Sequence, residues 1–457
     1  MSEGAKYKAA FILIIVFLIC FIRSNSYAEV LVYGDAVNDS IRYSANLQMK
    51  IEDIHISHAQ YRENFAGLFP TINIAARAER YENIDRHSSS TYDAIGNEIV
   101  GGYDSAWRTS TYIMGQYYLS HWYKKIFEVS YYKKMRDSSV HQCEAETKKI
   151  IRDVTEIFGS LSEGKIKLQY AAEILKRLQE ILRIKREAFA LGQYSYEDVL
   201  KAEADAAGME KEIAKIKKEI SEISLNLSGY TGSRYIENTE VEYLVPTGKL
   251  PLTEEKAAIV AMPEYKIRQK EMEAIRSKEK AATFSLLPDI SIYGRYDLYN
   301  SSPDNLDRAF NDIRPVSYSV GLLISLPIFD GGAKFWARKR ANYEIRRQEE
   351  NLRATYEEKN KAIGTLQAGH EALSKQYTHY MRINEQYGKM LEISKKAYDL
   401  GERSKIDILE LEKDALTMER DLKITEQSIA IYEKQFALEA DLNKYLRDYN
   451  GNWACKH

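Results

Sequence analysis

AFALGQYSYEDVLKAEADA begins at Ala188, and AYDLGERSKIDILELEKDA begins at Ala397. The two strings agree without a gap at Ala188/Ala397, Leu191/Leu400, Gly192/Gly401, Ser195/Ser404, Asp198/Asp407, Leu200/Leu409, Glu203/Glu412 and Asp205/Asp414. Two further pairs lie upstream in the same order. LFPTINIAARAERYE from Leu68 matches LLPDISIYGRYDLYN from Leu286. TSTYIMGQYYLSHWY matches PVSYSVGLLISLPIF with Gly115 set against Gly321. An internal duplication is read before composition, because each copy is one structural unit. Each half reads as strand, loop, strand, and then very long helices broken at a glycine.

Gly192 and Gly401 stand just past a helix C-terminus, where glycine takes the left-handed conformation without strain. Ser195 and Ser404 stand where an N-cap belongs. Both copies therefore predict a helical hairpin tip. Met209, Ile213, Ile216, Ile220, Ile223 and Leu227 step by four and three, which is a coiled-coil seam. Leu411, Ala415, Met418, Leu422, Ile429, Tyr432 and Phe436 continue the step, with Thr425 interrupting. No proline falls between Tyr123 and Ala190. A helix of that length reaches on the order of 100 Å, so it needs neighbours along its whole length.

The strand segments alternate. Ile290, Ile292, Gly294, Tyr296 and Leu298 oppose Asp289, Ser291, Arg295 and Asp297. Tyr318, Val320, Leu322, Ile324 and Leu326 oppose Ser317, Ser319, Gly321 and Ser325. Period two is the strand signal, and about ten residues suit a tilted strand that crosses a bilayer. Four strands cannot close a barrel, and an open edge in lipid leaves backbone groups unsatisfied. Several copies must then share one barrel, and three copies give twelve strands, within the known range. The polar loops 83–109 and 300–316 read as external turns.

The expected fold class is mainly α with a small β part: long antiparallel coiled-coil helices plus four membrane strands per chain. Residues 1–28 read as a cleaved export signal. Lys6 and Lys8 precede the apolar run Ala9 to Ile22, and Ser26-Tyr27-Ala28 places small residues before Glu29. Cys20 follows Ile19, so no lipid anchor is expected. The first repeat spans 29–235, with strands about 70–82 and 110–122 and helices about 123–190 and 196–228. The second spans 236–448, with strands about 289–299 and 317–327 and helices about 330–400 and 405–446. Residues 449–457 form a C-terminal tail.

Of 457 residues 29% are charged, while Gly (23) and Pro (8) are scarce, which favours long charged helices. The net charge of −2 makes no electrostatic case for nucleic acid. Tyrosine, at 34, is abundant, and amphipathic rings suit a membrane interface. Cys143 and Cys455 lie so far apart that they are weak evidence for a disulfide, and read as structural or incidental. His55 and His58 lack the further ligands that a zinc site needs. No Gly-rich phosphate loop, nucleophile elbow or Ser-His-Asp set is visible, so neither an enzyme nor a cofactor is expected.

VGLLISLPIFDGGAKFWARKRA from Val320 and the two LG-x-x-S-x-x-D-[VI]-L tips make the chain resemble the TolC-type outer-membrane efflux channel family. The first-half junction departs, with Ser120-His121-Trp122-Tyr123 in place of a Pro-Leu-Phe type turn. The resemblance implies a homotrimer whose twelve-strand barrel sits in outer-membrane lipid and whose helices form a tunnel through the periplasm. It implies two partners, a periplasmic adaptor (membrane fusion) protein and an inner-membrane transporter, in tripartite efflux or type I secretion. Tyr398 and Arg403 match the gate-latching residues, with Asp198 and Glu197 as their partners. Asp407 and Glu410 match the acidic constriction. Leu191, Gly192, Gln193, Leu400, Gly401 and Glu402 match the tips that the adaptor grips. Two other readings stand beside these. Asp407 and Glu410 suit any helix start, where carboxylates complement the helix dipole. The whole chain also fits an exported periplasmic coiled-coil scaffold without membrane strands.

Overall fold

The computed structural model describes residues 30–82, 91–92, 98–99, 105–235, 239–248, 255–447 and 455. The expected export signal lies outside them, as do most of loop 83–109 and nearly all of the tail. The first elements are α1 (Tyr33–Tyr43), α2 (Ala45–Ala66), β1 (Thr71–Glu82), the short pair β2 (Thr91–Tyr92) and β3 (Glu98–Ile99), and β4 (Ser105–Tyr118). A 3-10 turn (Leu119–Trp122) leads to α3 (Lys125–Ala190) and α4 (Tyr196–Thr231). Then follow α5 (Glu255–Ala261), α6 (Pro263–Phe284), β5 (Asp289–Ser302), α7 (Leu306–Asn311) and β6 (Arg314–Ser325). The chain closes with α8 (Ala333–Asp399), α9 (Lys405–Ala440) and α10 (Leu442–Arg447). Two helices, two long strands, a very long helix and a shorter one thus occur twice in succession.

Three details depart from the sequence reading. Helices α1, α2, α5 and α6 precede the strands, where the duplicated strings begin on the strands themselves. In α2 the residues Leu47, Met49 and Ile51 alternate as a strand would, which conceals the buried heptad pair Leu47 and Ile54. β4 starts at Ser105 rather than near 110 and ends at Tyr118. The unusual Ser120-His121-Trp122-Tyr123 junction supplies the 3-10 turn, in which Ser120 O accepts from Tyr123 N (3.2 Å) and Lys124 N (3.0 Å). Finally, α9 stops at Ala440, and the last residues form the separate α10.

The chain divides into two compact units. One comprises Glu52–Val140 and Ile267–Arg353 and holds the four-stranded antiparallel sheet, in the order β1-β4-β5-β6. β1 and β6 are its free edges. Paired residues share a face, so the register assigns both sides. Ile72, Ile74, Ala76 and Ala78 lie with Ile113, with Ile290, Ile292, Tyr296 and Leu298, and with Val320, Leu322 and Ile324. The opposite face carries Arg77, Glu79, Arg108, Tyr112, Gln116, Ser291, Arg295, Asp297, Ser317 and Ser319. One side of the sheet is therefore apolar and the other charged. Gly115 sits on the apolar side and Gly321 on the polar side, where an added Cβ would lie 2.6 Å from Tyr293. The alignment of Gly115 with Gly321 is thus out of phase, because a slip of one residue exchanges the two faces of a strand.

Below the sheet in this unit, Phe127 stacks on Phe284 with centroids 5.0 Å apart. Lys134 donates to Ser277 Oγ at 3.1 Å, and Lys278 pairs with Glu344 at 3.1 Å. Lys124 pairs with Asp289 at 2.7 Å at the root of β5. Among the described residues no helix is long and apolar enough to cross a membrane.

The second unit comprises the chain up to Ile51, His141–Lys266 and the stretch from Ala354 onward. Its helices pack through the seams expected. Ile216, Ile220 and Leu227 are buried, and Ile174, Leu178 and Ala206 form one core cluster with Met209 and Leu416. Thr425 does not interrupt the α9 seam. It is buried, and its hydroxyl donates to Asp421 O at 2.8 Å, which satisfies it within its own helix. Tyr33 is fully buried against Phe158, with its hydroxyl on Thr155 (2.7 Å) and Tyr445.

Two features of this unit contradict or escape the sequence reading. Cys143 and Cys455 are joined in a disulfide across 312 residues. Sequence distance argues against such a bond, but the fold brings the two Cα atoms to 5.9 Å, within disulfide reach. The second feature is a buried ion cluster. Lys148, 1% exposed, reaches Glu439 at 2.5 Å and Glu264 at 3.4 Å. Arg152 also binds Glu439, and Lys359 binds Glu264 at 2.8 Å. The cluster joins α3, α6, α8 and α9.

Candidate functional site

The duplicated strings build two tips of the same design. At the first, Gly192 has φ +75°, Gly192 N donates to Phe189 O (2.9 Å) and Gln193 N donates to Ala188 O (2.9 Å). At the second, Gly401 has φ +77°, Gly401 N donates to Tyr398 O (2.9 Å) and Glu402 N donates to Ala397 O (2.9 Å). This double bond pattern is the Schellman closure, which needs a residue able to hold positive φ. Ser195 and Ser404 then open α4 and α9 through reciprocal capping boxes with Asp198 and Asp407. Leu191 and Leu400 project at each tip, both 75% exposed. Two large apolar side chains held in water on rigid turns are candidates for contact with another protein.

The two tips lie side by side. Ile181 and Ile184 of the first hairpin, with Tyr194 from its turn, pack on Ile406 and Leu409 of the second. Arg177 pairs with Glu412 at 2.8 Å, and Arg186 pairs with Glu203 at 2.6 Å. Glu203 and Glu412 are thus equivalent residues that each anchor an arginine of α3. The apolar cluster and Arg177–Glu412 hold the two hairpins together within one chain, while Arg186–Glu203 closes the first hairpin on itself; the sequence reading singled out none of these contacts. Their signal was present in the shared glutamate of the repeat.

Five of the six residues matched to the gate have local partners. Asp198 accepts from the Ser195 hydroxyl (2.6 Å) and Ser195 N (3.2 Å), and these bonds hold its carboxyl below the usual range. Asp407 is lowered in the same way, with the Ser404 backbone N–H at 3.0 Å as the leading cause. Glu197 pairs with Lys201 at 2.6 Å, and Arg403 donates to Ser394 Oγ at 2.9 Å. Lys405 lies 5.9 Å from the Tyr398 ring, which is 43% exposed. Asp407 and Glu410 are both exposed on the first turns of α9. Among the described residues of a single chain, neither Tyr398 with Asp198 nor Arg403 with Glu197 forms a bond. The capping boxes and the i,i+4 pair satisfy these groups first.

The polar face of the sheet adds residues that the alternation alone did not mark. Arg108 is 3% exposed and lies 3.3 Å from the centroid of Tyr81. Arg295 lies 4.2 Å from the Tyr112 centroid and pairs with Asp297 at 2.7 Å. A cation over a ring face is attracted by the ring quadrupole, the more so where it is desolvated, as Arg108 is. The described residues contain no cluster of three or more metal-type ligands.

An apolar-faced sheet with two free edges, joined in sequence to long paired helices with two matched tips, is the architecture of the outer-membrane channels. The solved CmeC outer membrane channel of Campylobacter jejuni is 17% identical over 93% of this chain and 90% of that one, with a TM-score of 0.70. The outer membrane protein VceC of Vibrio cholerae is 16% identical, covering 91% and 95%, with a TM-score of 0.70. CusC, solved in a study of transmembrane channel formation, is 16% identical, covering 89% and 91%, with a TM-score of 0.74. No curated protein sequence matches the chain. Residues 263–438 match the family model described as outer membrane efflux protein. That match lies in the second half of the chain, and the fold of these solved outer-membrane channels extends across both halves.

Proposed function

We propose that this protein is the passive exit duct of a tripartite efflux or type I secretion system. It stands in the outer membrane and extends into the periplasm. The carrying observation is the sheet: one apolar face and two unpaired edges, β1 and β6. Unpaired backbone groups are costly in hydrocarbon, so one chain alone is an unsuitable membrane structure. Joining β1 of one copy to β6 of the next removes every edge, and a homotrimer closes at twelve strands. The periplasmic scaffold reading leaves the apolar face of Ile72, Ile74, Leu322 and Ile324 unexplained. Cross-linking of the native protein should stop at three chains, and a folded monomer in membranes would refute the assembly.

In such a trimer the tips converge on the periplasmic end. Leu191, Gly192 and Gln193, with Leu400, Gly401 and Glu402, offer the adaptor its grip, and the adaptor couples the duct to an inner-membrane transporter. Asp407 and Glu410 from three copies form an acidic ring, which favours cations. Tyr398 with Asp198, and Arg403 with Glu197, latch the ring by exchanging their local partners for one another on assembly. Tyr398→Phe combined with Arg403→Ser is expected to raise single-channel conductance in planar bilayers. Asp407→Ala combined with Glu410→Ala should instead lower cation preference and weaken block by multivalent cations. If conductance is unchanged by the first pair and selectivity by the second, these residues serve only as capped helix turns.

A further inference from the structure

We propose that α7 is a foot that rests in the interfacial layer of the bilayer at the loop end of the sheet, touching lipid from outside the barrel. The proposal depends on the membrane reading above. Thr109 pairs with Ala78 and with Asn300, so all three lie on the apolar, outward side of the sheet. The Thr109 hydroxyl donates to Ala309 O, and Asn300 Nδ2 donates to Arg308 O (2.8 Å) and Ala309 O (3.1 Å). The helix is therefore fastened to the outward face and does not cover the polar one. Ala309 and Thr109, 0% and 2% exposed, seal the contact.

The surroundings of α7 are those of a membrane boundary. Toward the root of the strands the outward face runs through Leu298, Ala76, Tyr296 and Ile74. At the level of α7 it passes through the row of Ala78, Thr109 and Asn300, and just beyond it changes to Arg80, Trp107 and Ser302. Arg80 lies 5.7 Å from the Trp107 centroid and donates to Pro303 O at 3.3 Å. Tryptophan and arginine side by side at the end of an apolar band mark the headgroup layer. On α7, Leu306 and Phe310 stand four residues apart on one side and are 37% and 61% exposed. Arg308 and Asp304, both more than 60% exposed, pair with each other at 3.3 Å. The helix so presents apolar residues beside a charged pair, the division that an interfacial helix needs. It packs on β4 and β5, the two central strands, so a copy added at the β1 or β6 edge leaves it free.

An environment-sensitive fluorophore placed on Phe310→Cys tests this in the full chain, reconstituted into vesicles of phosphatidylcholine and phosphatidylglycerol. Cys143 and Cys455 are already consumed by their disulfide, and Cys20→Ser removes the third cysteine. The vesicles carry lipid with a nitroxide either next to the headgroup or near the chain end. The label at 310 should lose emission to the shallow nitroxide and keep it with the deep one. Labels on Leu322→Cys and Ile324→Cys should lose emission in the membrane interior, and one on Ser319→Cys should lose none. Quenching at 322 and 324 with none at 310 overturns the foot and leaves the membrane reading standing, as does deep quenching at 310. No quenching at 322 or 324 overturns the membrane reading itself.

Discussion

Glu439→Leu should destabilise the protein by about 3–5 kcal/mol, and Lys148→Met by much less. The asymmetry follows from the buried cluster. Glu439 is the close partner of Lys148, at 2.5 Å, while Glu264 is farther, at 3.4 Å. Without Glu439 an ammonium that is 1% exposed keeps only the distant carboxylate, and Arg152 loses its partner as well. Without Lys148, Glu439 still has Arg152 and Glu264 still has Lys359. Replacing both Lys148 and Glu439 should recover most of the loss, because the cost lies in a stranded buried charge rather than in the missing attraction. Denaturant unfolding of the detergent-solubilised protein, followed by circular dichroism, measures all three. Equal losses from the two single changes would contradict the assignment of Glu439 as the essential partner. The cluster also sets a pH dependence. Burial pushes the Glu264 carboxyl up, but Lys148 and Lys359 outweigh it, and the group sits below its ordinary value. A lowered carboxyl contributes stability that is complete above its unfolded value and is lost as pH falls through the folded one. This part of the helical unit should hold through neutral pH and loosen below the usual carboxylate range.

Leu322→Arg should cost roughly 2–4 kcal/mol, provided that the residue lies near the bilayer midplane, whereas Ser319→Arg should be far milder. Leu322 pairs with Ile292 and belongs to the apolar face, while Ser319 pairs with Arg295 on the polar one. A guanidinium at 322 would stand in hydrocarbon without a partner, and one at 319 would meet water, with Arg295 opposite it and the Asp297 carboxylate diagonal to it. The yield of heat-resistant oligomer in reconstituted membranes reads the difference. Comparable losses at both positions would remove the case for a lipid-facing side.

Some of this architecture is written locally and some is not. The tips were legible because Gly192 and Ser195, like Gly401 and Ser404, each solve a backbone problem that few other residues solve. The second-half strands were legible because Ile290 to Leu298 and Tyr318 to Ile324 alternate cleanly. β4 was less so, since Arg108 and Trp107 place a charged inward residue beside an aromatic outward one at its start. The phase of Gly115 against Gly321 needed the register itself, which no single strand carries. Lys148 and Glu439 were not legible, because the helices that bury them come from distant parts of the chain. The residues proposed for the gate are legible only as sequence matches, for the single chain gives all of them but Glu410 a partner of their own.

The bond between Cys143 and Cys455 has a consequence for how the molecule is made. It closes a ring of more than three hundred residues that contains β5, β6 and both tips. In the chain-entropy view such a closure is worth about 6 kcal/mol. A polypeptide that stops anywhere short of Cys455 has nothing with which Cys143 can close that ring. Oxidation at this site therefore discriminates chains that extend through Cys455 from shorter ones, and does so covalently. The mobility difference between reduced and unreduced samples becomes a readout of synthesis as far as Cys455, independent of whether any copy has yet found its neighbours.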